Sequence, residues 1–296
     1  LKSQRKLKNS FVHFAFFYCY LLLFNINKKV RLLIFIAKAY LLFMINKLLN
    51  EGVFVIHALH GYEPHERRII ELFGNKGINF EFVVEGDPSN FHKISLEKYF
   101  SKDIHKVLSR GTLSCTFNHI LAYEKIMARN IEYAIVFEND PFFLGNFVEK
   151  LKRLFDEVQH LPPGFIISLE NSTLRFPSYW QIRMGKQLYR ARIGRMAGAY
   201  LIDRQAVINI LNDIQYNKCD RVIDWWHNDL IQRGVIDMYW AHPPLVEQGS
   251  HNGMLSSTIS TQSATLMRRL SWIAQKFYKY YIRRLFHEKN IIGTAF

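Results

Sequence analysis

Tyr133-Ala134-Ile135-Val136-Phe137-Glu138-Asn139-Asp140-Pro141 is the stretch on which the fold turns. Its first half is an unbroken apolar run with β-branched residues at its centre, and the proline stops further pairing. An apolar run that does not alternate reads as a strand buried on both faces, hence one in a sheet with helices on either side. Open sheets of that kind bind ligands beyond the carboxyl ends of their strands, where Glu138, Asn139 and Asp140 stand. Acids two residues apart at such an edge can share a divalent cation on a diphosphate. The rival reading is a turn with solvated acids, and the triplet by itself favours the turn.

Working outward, the same alternation repeats. Val53–Ala58 and Phe80–Val84 read as strands, the second closing at Gly86-Asp87-Pro88. His65–Gly74 has helical spacing, as does Thr112–Asn130, with Cys115, Ile120, Leu121 and Ile126 inward. Downstream come a helix over Phe147–Gln159, strands over Phe165–Leu169 and Ala199–Ile202, and a helix over Arg204–Leu211. Strands alternating with helices predict a single α/β domain with a mostly parallel, Rossmann-like sheet. No internal repeat or low-complexity linker interrupts it.

Charge divides the chain into three segments. The formal net charge is +14; residues 1–50 hold nine Lys/Arg and no acid, and residues 268–296 hold seven Lys/Arg against Glu288. The remainder carries 14 − 15 = −1, so the basicity is terminal and the centre is near neutral. That argues against a nucleic-acid-binding core and for an anionic membrane surface as partner. The apolar run Phe11–Phe24 is shorter than the roughly 20 residues of a spanning helix. Leu32–Leu49 has the length but carries Lys38 and Lys47, which favours lying in the interface over spanning. No small-residue cleavage site follows the first run, and a start at Leu1 leaves a misassigned start as a further reading. Met267–Lys289 interleaves Trp272, Phe277, Tyr278, Tyr280, Tyr281 and Phe286 with cations, the composition of a basic surface helix. The segments are therefore 1–50, membrane-associating; 51–266, catalytic; and 267–296, a basic aromatic tail. Cys19, Cys115 and Cys219 are odd in number and form no CxxC pair, which argues against a disulfide framework and against a structural zinc site.

Further motifs surround the acidic triplet in a fixed order: Glu66-Arg67-Arg68; Gly111, Cys115 and His119; Gly198 and Tyr200; Asp224 before Trp225-Trp226; Pro244, Gln248 and Ser257-Thr258-Ile259. In this order, over about residues 52–260, the chain resembles glycosyltransferase family 25, which includes lipopolysaccharide galactosyltransferases. Ser114, Asn118 and Asn139 depart from the family pattern, where a Gly, a Ser and an Asp are expected. The resemblance implies a glycosyltransferase A-type fold. It also implies a UDP-sugar donor, UDP-galactose above all, and a lipid-linked oligosaccharide acceptor at the cytoplasmic face of a bacterial inner membrane. Glu138 and Asp140 would hold Mn²⁺ or Mg²⁺, and Arg67, His119, Gly198 and Gln248 would contact substrate.

Each residue has a plainer reading beside it. An inverting transfer needs a carboxylate at the acceptor hydroxyl, for which Asp224 is the candidate, with Asp229 and Glu247 in reserve. A helix N-cap is the competing role for Asp224. His119 either contacts donor or supports its loop. Arg67 is a donor contact or a solvated helix-start arginine, and Gly198 a ligand approach or a packing glycine. Cys115 reads as small core filler, and Trp225 and Trp226 as core more than sugar platforms. Asn139 keeps an oxygen ligand but loses a charge, so the alternative is an impaired family member that binds glycan or a partner enzyme.

Overall fold

The computed structural model describes residues 30–33, 35–93, 96–171, 175–252 and 266–292. The run Phe11–Phe24, Cys19 and the Ser257-Thr258-Ile259 motif lie outside the described residues. The chain divides into two compact units, Leu1–Asn46 and Lys47–Phe296. The described part of the first unit belongs to helix α1 (Val30–Glu51), 22 residues long with an 18-residue stretch of mean hydropathy 1.9. By length and composition that helix suffices to cross a bilayer as well as to lie on one.

The second unit runs β1 (Val53–Ile56), α2 (Glu63–Gly74), β2 (Glu81–Val83), α3 (Ile104–Val107), α4 (Arg110–Ala128), β3 (Tyr133–Glu138), β4 (Pro141–Phe143) and α5 (Phe147–Val158). It continues through β5 (Phe165–Ser168), β6 (Leu188–Ala191), β7 (Ala199–Asp203), α6 (Arg204–Tyr216), α7 (Ile223–Gln232), β8 (Asp237–Ala241), β9 (Val246–Gln248), α8 (Gly249–Asn252) and α9 (Leu266–Phe277). Side chains stop the helices from fraying at their starts. Ser109, Asn146 and Asp203 accept from the backbone N–H of Thr112, Glu149 and Ala206, satisfying donors that the helices themselves cannot.

The main sheet has seven strands in the order β2-β1-β3-β7-β5-β8-β6, and β4 pairs with β9 in a small second sheet. Strands β2, β1 and β3 are mutually parallel, and so are β5 and β8. The sheet is nonetheless mixed, because β7 runs against β3 and β5, and β6 against β8. The expected mostly parallel sheet is thus found with parallel strands on either side of β7 and antiparallel pairing at β7 and at the β6 edge. A parallel neighbour needs a crossover, usually a helix, and no described residue between β5 and β7 is helical. The α/β class holds, and β3 lies inside the sheet as its sequence requires. Ala134 and Val136 enter the core under α4, while Phe137 on the other face meets Phe73, Phe143 and Phe147.

The basic segment from Leu266 packs within the second unit. Trp272 Nε1 donates to Glu247 Oε1 at 3.0 Å, and Lys276 Nζ meets Glu247 Oε2 at 2.7 Å. Arg284, buried, donates to the Pro177 carbonyl and lies over Tyr179 and Tyr280. Ile273, Phe277, Tyr281, Leu285 and Phe286 remain exposed.

Candidate functional site

A cavity of about 300 Å³ opens where β1, β2 and β3 end and α4 begins. The loops around it are tied together by polar side chains. Asn118 on α4 accepts from Gly86 N at 2.8 Å and donates to the His57 carbonyl at 3.3 Å, bridging the ends of β1 and β2. Gly86 must lack a side chain, since a Cβ there would stand 2.8 Å from Asn118 Oδ1. Asp87 folds its own turn, accepting from Ser89 N and from Leu59 N. Glu138 and Asn139 line the cavity from β3, with Cys115 opposite them on α4. Asn139 Nδ2 lies 3.2 Å from His57 Nδ1, which accepts there in the tautomer that carries its proton on Nε2; burial lowers the pKa of this histidine.

Glu138 is the centre of the acidic group. Burial, then the charge of Asp140, pushes its pKa up to about 8, and a hydrogen bond from Gln248 Nε2 at 3.1 Å opposes the rise. Asp224 is pushed up to about 7 by burial and by Glu138, against a hydrogen bond from the Ala197 backbone. Asp224 stands in the first turn of α7, whose N-cap is Val222, so the capping role is overturned. The strand approach that presents Ala197 passes through Met196, held at φ 77°, a conformation costly for a residue with a Cβ. Asp140 is buried, with Oδ2 accepting from Ser250 N at 2.8 Å and Oδ1 without a hydrogen-bond partner. It does not line the cavity; its neighbour Asn139 does. Gln248 lies across Gly198, where a Cβ would come within 2.6 Å of Gln248 Cγ and nearer still to its amide. Packing against Gln248 therefore explains this glycine.

His119 is fully buried, and burial drives its pKa down to about 3. Its Nδ1 lies 2.8 Å from Tyr200 OH, which lies 2.7 Å from Tyr123 OH, which lies 2.7 Å from His227 Nε2. This chain joins α4, β7 and α7 beneath the cavity and ends with His119 Nε2 at 3.9 Å from Glu138 Oε1.

The structure thus gathers Glu138, Asp140, Asp224, His119, Gly198 and Gln248 around one sheet edge. Arg67 is not among them. It is exposed on α2, while Arg68 turns inward, donates to the Pro141 carbonyl at 2.8 Å and feels the charge of Asp140. The reserve acids are engaged elsewhere, Asp229 with Arg233 and Glu247 with Trp272 and Lys276. Trp226 is core, but Trp225 is 67 % exposed. Cys115 packs against the hydrophobic core, as expected, and also forms part of the cavity wall; burial, Glu138 and Asp224 raise its thiol pKa well above the usual value. The sequence reading did not single out His57, Tyr123 or His227, and gave Tyr200 no role beyond its motif. Chemically, acids that resist ionisation beside buried, unpartnered Asp140 Oδ1 and Gln248 Oε1 fit a divalent cation.

An α/β domain with carboxylates converging at the carboxyl edge of its sheet defines a ligand-binding class of fold and site. The particular kinship comes from comparison: residues 62–190 match the model of glycosyltransferase family 25 (LPS biosynthesis protein), the family that the motifs resemble. The matched stretch contains Cys115, His119, Glu138 and Asp140, and ends before Gly198, Asp224 and Gln248. A human relative described as "Inactive glycosyltransferase 25 family member 3" is 33 % identical over 54 residues. That similarity covers 18 % of this chain and spans only 9 % of the relative.

Proposed function

We propose that this protein is a sugar transferase of the family 25 type, moving galactose from UDP-galactose to a hydroxyl of a lipopolysaccharide-type, lipid-linked acceptor. The observation that carries the reading is the convergence of Glu138, Asp140 and Asp224 beside a cavity bounded by the ends of β1, β2 and β3. The donor occupies that cavity. Glu138 and Asp140, whose Oδ1 has no hydrogen-bond partner, would hold Mn²⁺ or Mg²⁺ at the cavity's edge, and the ion would supply the charge that neutralises a leaving diphosphate. Asp224, whose raised pKa of about 7 suits a group that takes a proton near neutrality, accepts it from the acceptor hydroxyl. The cationic, aromatic face of α9 and the turns after it rests on anionic lipid at the cytoplasmic face of the membrane, where such an acceptor is anchored.

A screen of UDP-sugars against deacylated lipooligosaccharide, with and without Mn²⁺, tests the reading. Transfer with one donor, lost on chelation, is expected; no transfer and no donor hydrolysis with any UDP-sugar would overturn it. The second reading, a non-catalytic glycan-binding member, is favoured by Asn139 and by the inactive human relative. It predicts glycan binding without turnover in the same screen.

A further inference from the structure

We propose that Cys115, His119 and Glu138 form an ion site for a borderline-soft transition metal such as Zn²⁺ or Co²⁺, bound through sulfur, nitrogen and oxygen. Their ligand atoms all lie within 4.8 Å of one another. Cys115 and His119 are four residues apart on α4, which puts both on one face of the helix, and Glu138 meets them from β3. The second observation is His119 itself. It is fully buried, and its Nε2 has no hydrogen-bond partner while facing Glu138.

A histidine ligates through the nitrogen that carries no proton, and the partner of the other nitrogen decides which that is. Here the decision passes down the buried chain. His119 Nδ1–H donates to Tyr200, the Tyr200 hydroxyl donates to Tyr123, and the Tyr123 hydroxyl donates to His227 Nε2, which accepts. Each hydroxyl then accepts once and donates once, and the lone pair of His119 Nε2 is left free toward Cys115 and Glu138. Cys115 and Glu138 also line the cavity, so an ion enters from there and keeps an open position toward it. On binding, the Cys115 S–H bond breaks and the sulfur–metal bond forms, its proton leaving to solvent together with any proton held by the Glu138 carboxyl as its oxygen ligates. Zn²⁺ suits this mixed donor set, whereas Mg²⁺ and Mn²⁺ prefer the carboxylates and phosphate oxygens. Glu138 belongs to both sets. Resting on the proposed sugar transfer, Zn²⁺ would therefore exclude the hard cation and inhibit.

The test is a Co²⁺ titration of the full chain, stripped of metal and without any nucleotide sugar, followed by absorption. A one-to-one thiolate-to-cobalt charge-transfer band is expected, retained in Cys19→Ser and abolished in Cys115→Ser, with circular dichroism reporting the fold. Tyr200→Phe removes the acceptor of His119 Nδ1–H and should weaken Co²⁺ by about 10–100-fold while the sulfur band persists. No band in the wild-type protein, or a band surviving Cys115→Ser, overturns the site. Unchanged affinity in Tyr200→Phe overturns the assignment of His119 Nε2. Failure of sugar transfer would leave the cobalt band as it is, so the two readings fail separately.

Discussion

Gly198→Ala is the smallest perturbation that reaches the proposed ion-holding carboxylate. Gly198 does not have a positive φ, so alanine meets no backbone obstacle, only the Gln248 side chain. Gln248 is 3 % exposed, which leaves its displaced amide nowhere to go. Overpacking of this kind costs about 1–3 kcal/mol. Breaking the 3.1 Å bond to Glu138 strands a buried amide and an acid, adding about 1–3 kcal/mol. The expected destabilisation is therefore about 2–6 kcal/mol, read by urea unfolding through tryptophan fluorescence. Glu138 also loses the hydrogen bond that holds its pKa down, so Mn²⁺ affinity should fall in the same variant. Gln248→Ala removes the obstacle, so adding Gly198→Ala to it should cost under about 1 kcal/mol, a strong coupling in a double-mutant cycle. A single-variant cost below about 1 kcal/mol, or additive costs in the double variant, would refute the close-approach argument.

Asp224→Asn should lower turnover by roughly 10²-fold or more with donor binding kept, measured by steady-state kinetics and donor titration. Asp140→Ala should abolish metal-dependent transfer, and Asn139→Asp should tighten Mn²⁺ or leave it unchanged, both read by calorimetry alongside the transfer assay. Between the ordinary carboxylate range and about 8, folded Glu138 holds a proton that the unfolded chain has released, so its contribution to stability falls as pH rises. His119, His227 and His242, each lowered to about 3, act the other way, their contribution being lost as pH falls below about 6.5. The metal-free protein should accordingly be most stable near pH 6–7, with Mn²⁺ lifting the alkaline limb, as thermal melts with and without the ion will report. Changing Arg269, Lys279 and Arg283 together to Gln should weaken binding to phosphatidylserine vesicles by ~10²-fold, at about 1 kcal/mol per cation, in a sedimentation assay.

The sequence disclosed the elements whose periodicity is long enough to register. β3 and the helices α2, α4, α5 and α6 were legible from runs or helical spacing. β4 (Pro-Phe-Phe), β6 (Leu-Tyr-Arg-Ala) and β9 (Val-Glu-Gln) were not, because they lack the apolar, β-branched run that marks β1, β2 and β5. β8 is longer, but Met238, Tyr239 and Trp240 at its centre offer no β-branched residue to mark it. Strand direction is not written in composition at all; the reversal of β7 follows from what connects it, and that had to be seen. At the site, motif order places Glu138, Asp224 and Gln248, whereas the motif Glu66-Arg67-Arg68 does not by itself tell which arginine turns inward. Ile69 and Phe73 mark the inner face of α2, but a helical wheel sets Arg67 and Arg68 at nearly the same angle from that face, so only the three-dimensional contacts tell them apart. The His119–Tyr200–Tyr123–His227 chain joins residues 77 to 104 positions apart, beyond the reach of any local pattern.

The departures from the family pattern prove to be matched to their surroundings. Asn118 replaces a serine and uses both ends of its amide, one on Gly86 N and the other on the His57 carbonyl, which a hydroxyl on a shorter side chain would not span. Asn139 replaces an aspartate and turns its amide to His57 Nδ1, which can accept from it; an aspartate there would require His57 to carry its proton on Nδ1. A further carboxylate there would also push Glu138 above the value of about 8 to which burial and Asp140 already take it. Asn139 therefore relieves the like-charge repulsion of the cluster while leaving the two acids of the triplet in place. Loss of the middle charge is thus a poor reason by itself to read the protein as inactive. The variant that decides the matter is Asn139→Asp paired with His57→Gln: if the histidine is what asparagine accommodates, the aspartate should be tolerated in the pair and costly alone, by about 1–3 kcal/mol in urea unfolding.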